Sequence, residues 1–247
     1  MPFVLLSLIL QIACAVHVVR TGRPMYWIFL LLIGSYVAVA IYVFAEILPG
    51  LKDNRAARRA LQGARDRIDP ERHKRAASRQ LEVADTLENR QRLADESYDS
   101  GDYQQAAELY RSGLRGLYAT DPNLMLGLAK SQFALELAGE ARQTLDALIA
   151  ANPAFRSSEG HLLYARCLEA LGDVPGALHE YEALVAGFPG EEARVRHGLL
   201  LKREGRAAEA DAAFDETLRR SRVAPGYYQR EQREWIDLAS RERSPQR

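Results

Sequence analysis

The stretch Gly172-Asp173-Val174-Pro175-Gly176-Ala177-Leu178-His179-Glu180-Tyr181 decides how this chain folds. Gly172 tolerates the backbone that ends one helix and starts the next. Ala177 is small enough to let two helices approach, and Tyr181, four positions on, lies on the same helix face and fills the space beside it. The pattern recurs at Gly101-Asp102-Tyr103-Gln104-Gln105-Ala106, at Gly205-Arg206-Ala207-Ala208-Glu209-Ala210, and in degenerate form at Glu136-Leu137-Ala138-Gly139-Glu140-Ala141. The leading positions 101, 136, 172 and 205 are separated by 35, 36 and 33 residues, and the bulky partners are Tyr110, Leu145, Tyr181 and Phe214. Pro153 and Pro189 close two of the units. A single helical hairpin cannot bury its own apolar stripe, so about three or more must stack into a continuous core. The expected fold class is all-α, an α-solenoid of about four helical hairpins.

With a period near 34, an Ala-x3-aromatic arrangement and a later proline, these units resemble the tetratricopeptide repeat (TPR). The match departs from the family at the signature tryptophan of the first helix, which is missing; Arg90 holds that place in the first unit. Repeats are expected at about 87–121, 122–156, 158–189 and 191–222, within an array spanning 81–226. A closing helix then begins at Tyr227, where Tyr228, Trp235 and Ile236 would cover the exposed end of the core, as capping elements must, before a frayed tail reaching residue 247.

The N-terminal segment reads differently. Residues 2–19 and 26–48 are apolar runs of 18 and 23 residues, about 27 and 34 Å as helix against a bilayer core of about 30 Å. They predict a two-span membrane hairpin over residues 1–50. The absence of Lys or Arg before Arg20 argues against a cleaved signal peptide. Between residues 52 and 79 lie ten Lys and Arg against four acids, predicting a basic helical neck over 51–80. That charge bias places both termini on the cytoplasmic side of a bacterial inner membrane, with anionic lipid near the neck. The hairpin, with Trp27-Ile28-Phe29-Leu30-Leu31-Leu32-Ile33-Gly34 and Tyr42, also resembles the N-terminal region of bacterial cardiolipin synthases, although the HxKxxxxD motif of those enzymes is absent.

Net charge is zero overall, but residues 80–247 are acidic beside the basic neck. No interleaved aromatics accompany the neck arginines, so nucleic acid is not an expected partner. Nucleotide, zinc-protease and serine-hydrolase motifs are missing, and Cys14 and Cys167 have no cysteine or histidine neighbours with metal spacing. No catalytic, cofactor or metal site is expected, and the chain is not expected to be an enzyme. The acid pairs Asp95-Glu96 and Glu191-Glu192 read as surface or helix N-terminal charges.

Function is expected in the groove. The TPR resemblance implies that positions two, five, nine, twelve and thirteen of each first helix line the concave surface. In this chain the binding line is Asn123, Leu126, Lys130 and Phe133 in the second unit, Leu162 and Arg166 in the third, and Val195, Leu199, Lys202 and Arg203 in the fourth. The first unit departs from it with Asp95, Tyr98 and Asp99. Bases interspersed with apolar residues predict a protein or peptide partner with an acidic segment. Two functions stay open at this point: a membrane-anchored scaffold binding a protein at the cytoplasmic face, or an accessory subunit of an envelope or lipid-biosynthesis enzyme acting through the hairpin.

Overall fold

A computed structural model describes residues 2–20, 24–33, 35–42 and 69–244. Every element among the described residues is helical, and the chain divides into two compact units, Met1–Arg72 and His73–Arg247.

In the first unit α1 (Pro2–Arg20), α2 (Tyr26–Ile33) and α3 (Ser35–Tyr42) pack on one another. Cys14 and Val18 meet Trp27, Leu31, Val39 and Tyr42 in a small core, and the His17 ring nitrogen Nδ1 lies 2.9 Å from the Tyr42 hydroxyl. Val19, Phe29 and Val37 stay exposed. The two-span reading is overturned here: among the described residues no helix is long and apolar enough to cross a membrane. Among its described residues the run from Tyr26, expected as one 23-residue helix, supplies two helices of eight residues, each rising about 12 Å. With the spans go the inner-membrane location and the cytoplasmic assignment of the termini. Residues 43–68, including most of the expected basic neck, lie outside the described residues.

The second unit opens with α4 (Arg72–Val83) and continues as four hairpins: α5 (Leu87–Asp99) with α6 (Tyr103–Gly113), α7 (Pro122–Ala134) with α8 (Ala138–Ala151), α9 (Ser158–Ala170) with α10 (Val174–Val185), and α11 (Glu192–Arg203) with α12 (Ala207–Val223). Side-chain oxygens of Thr86, Asp102, Asp121, Ser157 and Asp173 accept the unpaired amides that begin five of these helices. The turns inside the hairpins are equivalent in detail. The amides of Asp102, Leu137, Asp173 and Arg206 each donate to the carbonyl five residues back, at 2.8, 2.9, 2.9 and 2.9 Å. That bond closes a left-handed helix C-cap, with φ of +83°, +78° and +76° at Gly101, Gly172 and Gly205. Glu136 takes the same conformation at φ 64°, where a side chain is strained.

Packing follows the small-then-large pattern. Ala106, Ala141, Ala177 and Ala210 are buried, as are Tyr110, Leu145, Tyr181 and Phe214. Each second helix packs on its own first helix and on the next one, so the core is continuous along the stack. Gly198 is required by close approach, since a Cβ there would sit 2.6 Å from the Phe214 ring. Beyond α12, two short helices, α13 (Gly226–Glu231) and α14 (Arg233–Glu242), close the array, with α14 packing on α11 and α12.

Their attachment corrects a sequence expectation. Glu191, read as a surface or helix N-terminal charge, does stand at the start of α11 but is buried: its carboxylate meets Arg194 at 2.5 Å, Arg220 at 3.1 Å and the Tyr228 hydroxyl at 2.8 Å, while its amide donates to Gln232 at 2.9 Å. Asp95 also departs from a free surface role, accepting the Tyr110 hydroxyl at 2.5 Å.

Candidate protein-binding groove

Successive first helices of the stack, α5, α7, α9 and α11, bring the sequence-selected residues into four different situations. Asn123 is exposed in the first turn of α7. Leu126, Phe133 and Leu199 are half-buried and packed against the cores beneath them. Leu162 and Val195 are core residues, 5% and 0% exposed, and present no surface to a ligand. The four bases remain accessible, and three of them are already paired within the chain.

Lys130 bonds Glu159 of the next first helix at 2.6 Å and stands 5.0 Å from the centre of the Tyr98 ring on the preceding one. Burial alone would lower its pKa; the Glu159 bond outweighs that and holds it above the ordinary lysine value. Lys202 donates to the Glu242 carbonyl at 2.7 Å and reaches its carboxylate at 3.1 Å. Arg203 pairs with Glu169, whose other oxygen accepts the Tyr181 hydroxyl at 2.6 Å.

Arg166 differs. Its guanidinium lies 4.6 Å from the centre of the Phe133 ring, and among the described residues no carboxylate stands within ion-pair distance of it. Burial, then the neighbouring charge of Arg196, lowers its pKa from the ordinary arginine value, against the opposing charge of Glu192.

Lys130 and Arg166 occupy the same register, and each sits over an aromatic residue of the preceding hairpin, Tyr98 and Phe133. The line extends past the fourth hairpin, where Arg196 stacks on Trp235 of α14 at 5.0 Å and bonds Glu192 at 2.7 Å. Sequence reasoning placed Glu159 on this surface but missed Arg196 and Trp235 as parts of it. Glu159 and Glu192 were visible at position two of their helices, but neither position nor charge says which base each one reaches. Away from the groove, burial pushes the Cys167 thiol up to about 11, which keeps it protonated and unreactive at neutral pH. Among the described residues no group of His, Cys, Asp and Glu is arranged to hold a metal ion.

Comparison with known proteins agrees with the helical-hairpin fold. Residues 97–158 match the tetratricopeptide repeat family model. The stack is a TPR-like solenoid. A structure of MamA residues 41-end from Desulfovibrio magneticus RS-1 superposes with a TM-score of 0.56 at 18% identity, over 68% of this chain and 95% of that one. The RS-1 MamA ArsTM double mutant gives 0.56 at 17% identity over the same shares. TTC0263, a thermophilic TPR protein of Thermus thermophilus, gives 0.51 at 20% identity, over 68% of this chain and 86% of that one. At these identities the likeness is one of fold. No curated protein is significantly similar to the chain, and the resemblance of the N-terminal segment to cardiolipin synthases gains no support from these matches.

Proposed function

We propose that the TPR-like unit is a protein-interaction scaffold whose concave face takes a partner segment carrying an acidic side chain beside an apolar one. The observation that carries this reading is a missing internal carboxylate. Lys130, at position nine of the second hairpin, is neutralised by Glu159, at position two of the third. One repeat further along, the corresponding pair is Arg166 and Glu192, but Glu192 is held by Arg196 at 2.7 Å. Arg166 therefore keeps the aromatic support of its counterpart and lacks its acid. A partner carboxylate placed there would reproduce the contact that the chain makes for itself at Lys130. The half-buried Leu126 and Phe133 beside it supply the apolar contact, and charge complementarity would set specificity and on-rate.

The test is capture with the full chain as bait and identification of the bound protein, run with Arg166→Glu, Lys130→Glu and the double variant in parallel. Circular dichroism checks that each variant is folded. Arg166→Glu is expected to weaken capture by about tenfold or more, since one charge of a close pair is reversed. Lys130→Glu alone is expected to matter less, because that lysine is spent on Glu159. Equal capture by folded Arg166→Glu and wild type refutes the groove as the binding face.

A further inference from the structure

At one register of the array, the first-helix position held by Arg90, Met125, His161 and Arg194, the four hairpins fill the same space in different ways. Arg90 reaches across to the Ser112 carbonyl at 3.2 Å. Met125 is buried. Arg194 is buried and donates to the Val185 carbonyl at 3.0 Å. His161 is shorter, and its ring is drawn aside to Glu180 of α10, with Nε2 2.6 Å from the carboxylate. Space is left at this hairpin: a cleft of about 480 Å³ beside the α8–α9 turn. That volume lies within the usual range for small-molecule sites, about 300–1,000 Å³.

The cleft has an apolar floor and an acidic side. Leu145 and Leu148 are core residues at its base, and Ile149, at 56% exposure, forms an open apolar rim. Glu180, bonded to His161, and Asp146, paired with Arg142 at 3.8 Å, bring two partly exposed carboxylates to the lining. Tyr164 lines the cleft as well, its pKa raised by burial and by its bond to Asp146. The guanidinium of Arg156 also reaches the lining, but it is folded back onto its own turn, donating to the carbonyls of Pro153 at 2.6 Å and Phe155 at 3.2 Å.

We propose that this cleft is a second ligand site, separate in chemistry from the groove, which binds a small cationic amphiphile: an aromatic or aliphatic body bearing a primary ammonium. The body lies on Leu145, Leu148 and Ile149, and the ammonium donates to the carboxylate side at Glu180. A cation is selected at Glu180, which is partly exposed and uses only Oε2 on His161, while Asp146 is paired with Arg142 and the lining guanidinium of Arg156 is occupied by backbone.

Tryptamine and phenethylamine serve as probes, with indole-3-acetate and 3-phenylpropionate as charge-reversed counterparts, each titrated into the full chain by saturation-transfer NMR and calorimetry. Both amines are expected to bind saturably and both acids to fail. Glu180→Gln should weaken amine binding about tenfold, the equivalent of roughly 1.4 kcal/mol. His161→Trp, which refills the register, should remove binding; Ile149→Trp at the exposed rim does the same should the buried change disturb folding. Arg166→Glu should leave amine binding unchanged, which separates this site from the groove. Absence of saturable amine binding, equal binding of the acids, or undiminished binding to folded Ile149→Trp would each overturn the assignment.

Discussion

Removing the Glu191 carboxylate tests how the array is closed. Glu191→Ala leaves the Arg194 guanidinium, whose side chain is 7% exposed, without its 2.5 Å partner. Breaking a buried pair from one side costs about 3–5 kcal/mol, because the remaining charge is left in a poorly solvated place. The Arg220 contact adds little, since that side chain is 45% exposed and surface pairs contribute about 0–1 kcal/mol. The lost Tyr228 hydroxyl bond adds about 1 kcal/mol. The Arg194 effect therefore dominates, and the unfolding midpoint should fall by about 10 °C at roughly 2–4 °C per kcal/mol for a unit of this size. Neighbour-only packing confines the damage: hydrogen exchange should rise in α11 to α14 while α5 and α6 keep their protection. The double variant Glu191→Ala with Arg194→Met should regain much of the loss, because it removes the orphaned charge as well. Unchanged unfolding of Glu191→Ala, or equal loss of protection in α5 and α6, would refute the reasoning.

Three further outcomes follow from the same geometry. Ala177→Trp should cost about 1–3 kcal/mol by overpacking a fully buried position, and a thermal melt identical to wild type would contradict the helix pairing. Glu136→Gly should stabilise by about 1 kcal/mol, because it relieves the non-glycine residue at φ 64°, whereas Gly172→Ala at φ +78° should destabilise; chemical denaturation measures both. Burial lowers the His197 pKa from its ordinary value, so the folded state disfavours the protonated ring. The stability gained from keeping it neutral is present above the unfolded-state value of about 6.5 and is lost as pH falls from there toward the lower folded value; His197→Gln should flatten that part of the stability–pH curve.

Much of the array was legible because its determinants are local. The turn glycines, the Ala-to-aromatic spacing of four and the interval near 34 act within one hairpin or between neighbours. The candidate groove was legible only in part. Its bases could be listed from helix register, but Leu162 and Val195 share that register and point into the core. Three of the four bases turned out to be neutralised inside the chain. The apolar N-terminal segment misled because composition alone cannot separate one spanning helix over the run from Tyr26 from two helices of eight residues packed on α1.

From sequence alone came the all-helical class, the hairpin repeat, the turn positions and the small-and-bulky pairs that seat one helix on the next. These rest on contacts at i+4 and on backbone conformations that only particular residues adopt readily. The tertiary structure alone decided that Glu191 is buried under the closing helices, that Glu192 serves Arg196 and leaves Arg166 without an acid among the described residues, and that His161 bonds Glu180 beside a cleft. The burial of Glu191 depends on partners tens of residues away, Arg220 and Tyr228, as Lys130 depends on Glu159 and Lys202 on Glu242. Which of them meet is set by how each hairpin is rotated against the next, a quantity that no single stretch of sequence contains.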